Sequence, residues 1–273
     1  MKKLLFVPVI LCLFLSFTGC KKNKQYDLTP DINVADDIVL SESAYNHATE
    51  NLLLALADPA LHSVFHSVID SAFVVFDTAE NEYIFNYTSK LCPDSVVRYG
   101  KIEMYVFGSL PDTGTIFKIY FQNFMEYQHL ITGRDSVVYK GTDGSGKMVF
   151  RNYIIYGVIH KDLELIDWNS TNNFMVDPSL FQPGHTLDYY ITGQAYGTSS
   201  KGHTFTAKIN DSLIHQQTCP WILSGTIDLH IPGADVENGT IDFIVGDGCT
   251  NKLKYDFEGN IYYLWNDHTY LSN

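Results

Sequence analysis

From Ala72 to the end of the chain, apolar residues recur mostly at every second position. Ile102, Met104 and Val106 alternate with Lys101, Glu103 and Tyr105, and Phe117, Ile119 and Phe121 alternate with Lys118, Tyr120 and Gln122. A period of two places one set of side chains on each face of a pleated strand, so these runs predict half-buried β-strands. Ala72 to Asp77, Glu82 to Tyr87, Met148 to Ile159, Leu187 to Tyr196 and His203 to Ile209 read the same way. So do Ile227-Leu229-Ile231, Ile241-Phe243, Leu253-Tyr255-Phe257 and Ile261-Tyr263-Trp265. Pro232-Gly233, Asn238-Gly239, Gly246-Asp247-Gly248 and Glu258-Gly259-Asn260 separate the later strands with turn chemistry.

Before Ala72 the period is helical. Ser41 is placed to cap a helix carrying Ala44, Ala48, Leu52 and Leu56 on one face. Asp58-Pro59 then predicts a cap with proline at the first helical position, opening a second short helix that ends near Asp70. Residues 169–184 are less periodic and contain Pro178 and Pro183, which marks them as a connection. The expected fold is therefore mainly β: a short N-terminal helical segment followed by antiparallel sheets in two successive β units, 36–168 (including the helical prelude) and 185–273. A single continuous sheet is the alternative.

The N-terminus changes the picture. Lys2 and Lys3 precede an apolar run, Leu4 to Phe17, too short to span a bilayer as a helix and interrupted by Pro8. This predicts a signal peptide over residues 1–19. Phe17-Thr18-Gly19-Cys20 resembles a bacterial lipobox, with Phe17 departing from the usual aliphatic residue. Lipidation is expected at Cys20, followed by a polar tether over residues 20–35. Several acyl chains anchor a protein stably where one is marginal. Membrane contact through this anchor, at the periplasmic face of the outer membrane in preference to the cell surface, follows from Lys21 and Lys22 standing where a surface-export signal would be acidic.

Removing residues 1–19, with Lys2 and Lys3, from the 273-residue chain leaves 254 residues with 16 basic and 31 acidic groups, a net charge of -15. An acidic domain repels the phosphate backbone, so nucleic acid is excluded as a partner. Cys92, Cys219 and Cys249 remain after Cys12 and Cys20 are accounted for. They allow one internal disulfide in an oxidising compartment, and none is spaced C-x-x-C. A weak internal echo links Cys92-Pro93 before Gly100 with Cys219-Pro220 before Gly225.

Two stretches carry a resemblance. One runs from Cys92 to Thr142 and includes Gly100-Lys101-Ile102, Gly114-Thr115-Ile116-Phe117 and Phe121-Gln122-Asn123-Phe124. The other contains Cys219-Pro220-Trp221-Ile222-Leu223-Ser224-Gly225, Ile241-Asp242-Phe243 and Gly246 to Lys252, ending in Gly259-Asn260-Ile261-Tyr262. In these the chain resembles a family of uncharacterised lipoproteins of Bacteroides-type bacteria, over most of its mature length, with Thr250 standing where Asp is commonest. The resemblance implies a lipoprotein with a β fold and supplies no catalytic residues. Cys219 and Cys249 flank successive strand regions and are the favoured disulfide, with pairing of either to Cys92 left open.

Candidate chemistry is sparse. His62 and His66 stand four apart and, on one helix, would share a face with Asp58 and Asp70 as weak metal candidates. Asp242 and Asp247 beside glycines lack the ladder of a calcium loop. Ser71, Thr78, Ser95, Ser136 and Ser212, each after an aspartate, resemble O-glycosylation positions of Bacteroides-type periplasmic proteins. There is no G-x-S-x-G elbow and no phosphate-cradling glycine loop. No cofactor is implied. The leading expectation is a non-enzymatic envelope lipoprotein with a structural or binding role toward an envelope protein or glycan. A glycan-binding module and a hydrolase whose carboxylates meet only in space are the alternatives.

Overall fold

The computed structural model describes residues 30–182, 186–233, 238–243, 248–257 and 259–266. The expected signal peptide, Cys20 and the expected turn at Gly246-Asp247 lie outside these residues. Helix α1 (Pro30–Ala57) is followed by the short α2 (Pro59–Ser63). Then come β1 (His66–Ile69), β2 (Ala72–Asp77), β3 (Glu82–Leu91), β4 (Val97–Phe107), β5 (Ile116–Glu126) and β6 (His129–Thr142). After them run β7 (Met148–Lys161), β8 (Glu164–Val176) and a single 3-10 turn over Pro178–Phe181. The chain continues as β9 (Tyr189–Thr198), β10 (Thr204–His215), β11 (Ile222–His230), β12 (Asn238–Asp242), β13 (Lys252–Phe257) and β14 (Asn260–Trp265).

These strands form one antiparallel sheet in sequence order, which overturns the expectation of two β units. β8 pairs with β9 without a break from Asp167↔Thr198 to Val176↔Tyr189, so residues 169–176 are strand rather than connection. They look aperiodic in sequence because two of their inward positions, Ser170 and Asn172, are polar and buried. Asn172 donates to Glu42 of α1 at 2.8 Å. A polar helix facing a polar strand removes the apolar alternation without removing the strand.

That helix also differs from expectation. It starts at Pro30, inside the expected tether, and Ser41 lies in its interior, where its hydroxyl donates to the Asp37 carbonyl at 2.7 Å. Both its apolar residues (Ile38, Leu40, Ala44, Ala48, Leu52) and its polar ones (Asp37, Glu42, Asn46, His47, Thr49, Asn51) are buried. A helix buried all round needs a wall all round, and the sheet supplies it. Asn51 donates to the Tyr87 hydroxyl on β3 at 2.9 Å, and the Tyr45 hydroxyl to the Thr132 carbonyl on β6 at 2.7 Å. Asn152 on β7 donates to Thr49 at 2.6 Å, and Tyr189 on β9 to Glu50 at 3.4 Å. At the start of the helix Lys161 pairs with Asp36 and Asp37, both at 2.7 Å. The sheet curls far enough that Tyr127, in the β5–β6 turn, donates to the Asn266 carbonyl just past β14 at 2.7 Å. A single apolar cluster joins α1 to the inner face of the sheet.

α2 begins as the sequence implies, with the Asp58 carboxylate accepting from the Ala60 amide at 2.8 Å. It stops at Ser63, because Phe65 takes a left-handed conformation (φ 63°) that turns the chain into β1. Among the described residues no helix is long and apolar enough to cross a membrane.

Burial raises the pKa of Glu42 from 4.5 to about 7, against the lowering effect of hydrogen bonds from Asn46 and Asn172. The stability that comes from holding this group neutral is fully present below about pH 4.5 and is lost as pH rises through about 7. Glu42→Gln keeps a carbonyl acceptor and cannot ionise. Between pH 5 and pH 8 the variant should gain on the order of 2–3 kcal/mol relative to wild type in urea melts. Parallel pH profiles for the two proteins would refute the account.

Candidate functional site

Four segments meet beside the middle of α1. The β1–β2 hairpin turns on Asp70 and Ser71, both left-handed (φ 44° and 64°), a conformation that Asp adopts more readily than most residues. The β3–β4 corner is closed by Cys92 N–H to the Val96 carbonyl (2.8 Å) and Ser95 N–H to the Cys92 carbonyl (2.9 Å). Asp94 accepts from the Val96 amide at 3.1 Å within that corner. Arg98 and Glu126 are cross-strand partners on β4 and β5. The fourth segment is the β10–β11 connection, His215 to Ile222.

Arg98 organises the first three. Its side chain is 1% exposed and its charge is met by three carboxylates. Nε donates to Glu126 at 2.9 Å, Nη1 to Asp94 at 2.9 Å and to Asp70 at 3.4 Å, and Nη2 to the second Asp94 oxygen. His47 of α1 lies against Asp70 (Nε2 to Oδ2, 2.7 Å) with Glu126 on its other side at 3.7 Å. Burial and then Arg98 act to lower the His47 pKa, but Asp70 and Glu126 outweigh them and it ends above the ordinary 6.5. For Asp70, burial acts to raise the pKa; His47 and Arg98 overcome it and hold the carboxyl below the usual range. Arg98, with His47 bonded to Asp70, thus holds the acidic side chains in fixed positions.

The carboxylates of Asp70 and Asp94 and the thiol of Cys92 place one ligand atom each within 4.8 Å of one another. The guanidinium of Arg98 already supplies the positive charge these carboxylates need. Burial pushes the Cys92 thiol up to about 11, with Asp70 adding to the effect, and its Sγ lies 3.4 Å from the Asp70 carbonyl oxygen. A protonated thiol and guanidinium-bound acids suit an organised carboxylate site better than a metal centre or a thiolate nucleophile.

Asp70 and Asp94, with His47, border a cleft of about 380 Å³. Glu50 and Asp70 line it with Pro93 and Asp94 of the first Cys-Pro corner and with His215 and Pro220 of the segment around the second. The two Cys-Pro segments noticed in the sequence therefore face each other across one opening. Glu50 accepts from Tyr189 at 3.4 Å and lies 3.6 Å from His215 Nε2. The Tyr189 and His215 rings stack with centroids 4.4 Å apart. Cys219, on the rim, is joined to Cys249 by a disulfide, and Cys92 is a buried thiol outside that bond.

The remaining candidates lie elsewhere. His62 bonds the Leu56 carbonyl at 3.0 Å, and His66, on β1 because α2 ends early, lies 2.9 Å from the Val64 carbonyl oxygen. The two histidines share no helix face. Thr78 and Ser95 are exposed at turns, while Ser71, Ser136 and Ser212 are half-buried. Ser71 directs its hydroxyl at the Leu91 carbonyl.

No family model, curated protein or solved structure matches the chain.

The expectation of a non-enzymatic role rested on the lack of a catalytic constellation. The cluster around Asp70, Cys92 and Asp94 overturns it. Its members come from positions 47, 50, 70, 92, 94, 98 and 126, too scattered to form a linear motif. In the sequence Asp70 stands out only beside the His62–His66 pair and before Ser71, and Asp94 only before Ser95. Replacing Arg98 by Met should cost on the order of 3–5 kcal/mol in chemical denaturation, because three carboxylates are left without their shared cation. Stability within 1 kcal/mol of wild type would contradict the organising role given to Arg98.

Proposed function

We propose that the protein is a hydrolase that cleaves glycosidic bonds in the cleft between the two Cys-Pro corners. The observation that carries this reading is the convergence of the Glu50, Asp70 and Asp94 carboxylates on one opening. Carboxylate pairs from separate elements, without an activated thiol or serine, suit a reaction in which positive charge develops on a sugar carbon. Asp70 and Asp94, fixed by His47 and Arg98, stabilise that charge. Glu50, oriented by Tyr189 and His215, gives its proton to the leaving oxygen. It then takes one from the water that attacks the carbon, so it is regenerated in each turnover.

The test is hydrolysis of a panel of neutral chromogenic glycosides and oligosaccharides by the full chain in detergent. Glu50→Gln should lower kcat at least 100-fold with the melting temperature kept within a few degrees. Cys92→Ser should keep the wild-type rate. Absence of turnover by wild type across the panel, or a wild-type rate in Glu50→Gln, would refute the assignment.

We also propose, from residues 1–20 and the family resemblance, that the domain is tethered by lipid on Cys20 to the periplasmic face of the outer membrane. Cys20→Ala should move the protein from the membrane pellet to the soluble fraction. Unchanged tight association would count against the anchor.

A further inference from the structure

The outer face of the sheet over β9 to β13 is not flat. It carries an open trough of about 900 Å³, separate from the cleft and sharing none of its residues. Five strands at the usual spacing make it roughly 19 Å across.

Its shape traces to β10. Lys208 pairs with Gln194 and the next pair is Leu213 with Ile191, so residues 209–212 stand opposite only 192–193 of β9. The pairing with β11 is also interrupted between Ile209 and His215. Extra residues on one strand bend it and increase the local twist, and such bulges are enriched beside binding sites. The same bend separates two uses of β9 and β10. Their ends at Tyr189 and His215 face inward to Glu50 of α1, while Tyr196, Thr206 and Lys208 face outward into the trough.

The lining chemistry is specific in kind. Lys208 and Lys254 stand among Asp228, Asp242 and Asp256, so charge is close to balanced. Lys254 lies 3.4 Å from Asp256, and Thr240 donates to Asp228 at 3.2 Å, which orients that carboxylate. Gln194, Thr206 and His230 add further polar groups. Tyr196, 58% exposed, is the one large aromatic side chain in the lining. A near-neutral floor gives little attraction to a polyanion. A polar floor gives little to a lipid tail or an apolar helix face. Many interleaved donors and acceptors with one aromatic ring suit a chain of hydroxyl groups with an apolar sugar face to lay on the ring.

We propose that this trough binds a neutral oligosaccharide along the strand-crossing direction, with Tyr196 stacking on one ring and Asp228 accepting from hydroxyl groups. The inference stands independently of the hydrolase reading, because it concerns binding at a surface outside the cleft.

The test is retention of the full chain, in detergent, on an array of neutral and acidic glycans, followed by titration calorimetry with the best neutral tetrasaccharide. Neutral glycans should be retained and acidic ones not. Tyr196→Ala and Asp228→Ala should each weaken binding at least tenfold, with the melting temperature kept within a few degrees. Glu80→Gln, in the exposed β2–β3 turn outside both concave regions, should leave the affinity unchanged. No neutral glycan retained, a preference for acidic glycans, or affinity indifferent to both trough variants would overturn the proposal. Binding lost in Glu50→Gln but kept in Tyr196→Ala would overturn it too, by placing the sugar in the cleft instead.

Discussion

The structure depends on a helix that carries polar side chains into the interior. Glu42, Asn46, His47, Thr49 and Asn51 all lie on α1 and all are buried. Each needs a hydrogen-bonding partner, because an unpaired polar group inside a protein costs on the order of 1–3 kcal/mol. Their partners come from the β1–β2 turn, β3, β7 and β8, and β6 and β9 bond Tyr45 and Glu50 on the same helix, so the sheet has to surround the helix rather than lie flat beneath it. One continuous antiparallel sheet meets that demand. Two separate units would leave polar faces of the helix uncovered.

The same demand creates the candidate site. His47 and Glu50 are one turn apart on α1, and the wall around them is built from the β1–β2 hairpin, the β3–β4 corner and the β10–β11 connection. Acidic groups brought together there would repel one another without compensation. Arg98 supplies it from within the cluster and, with His47 bonded to Asp70, fixes Asp70 and Asp94 at the mouth of the cleft. The disulfide between Cys219 and Cys249 ties down the opposite rim. Closing a loop of this length restricts the unfolded chain and contributes about 3.6 kcal/mol. Rigidity on both sides of an opening is what a site that works by prearranged charge requires.

The two concave regions use the two faces of the same strands. The inner face of β9 and β10 serves the helix and the cleft, while the outer face, bent by the β10 bulge, forms the trough. Alternation along a strand makes this double use possible, since neighbouring residues point to opposite sides. Tyr189 and Tyr196 stand seven positions apart on β9, one facing inward and the other outward. Substitutions on one face therefore need not disturb the other.

The sequence by itself determined the elements whose signals are local. Strands 72–77 and 82–87 were legible from alternation, and the Asp58-Pro59 start of α2 from its capping chemistry, because each depends on near neighbours along the chain. It did not reveal where α1 begins, since its burial on every side erased the one-sided stripe that marks a surface helix. It points to a connection over residues 169–184, although 169–176 are strand, because Ser170 and Asn172 face a polar helix and break the expected alternation. The carboxylate cluster was decided only by the tertiary structure. Glu50, Asp70, Asp94 and Glu126 are far apart in sequence, and charges interact through distance in space rather than through spacing along the chain.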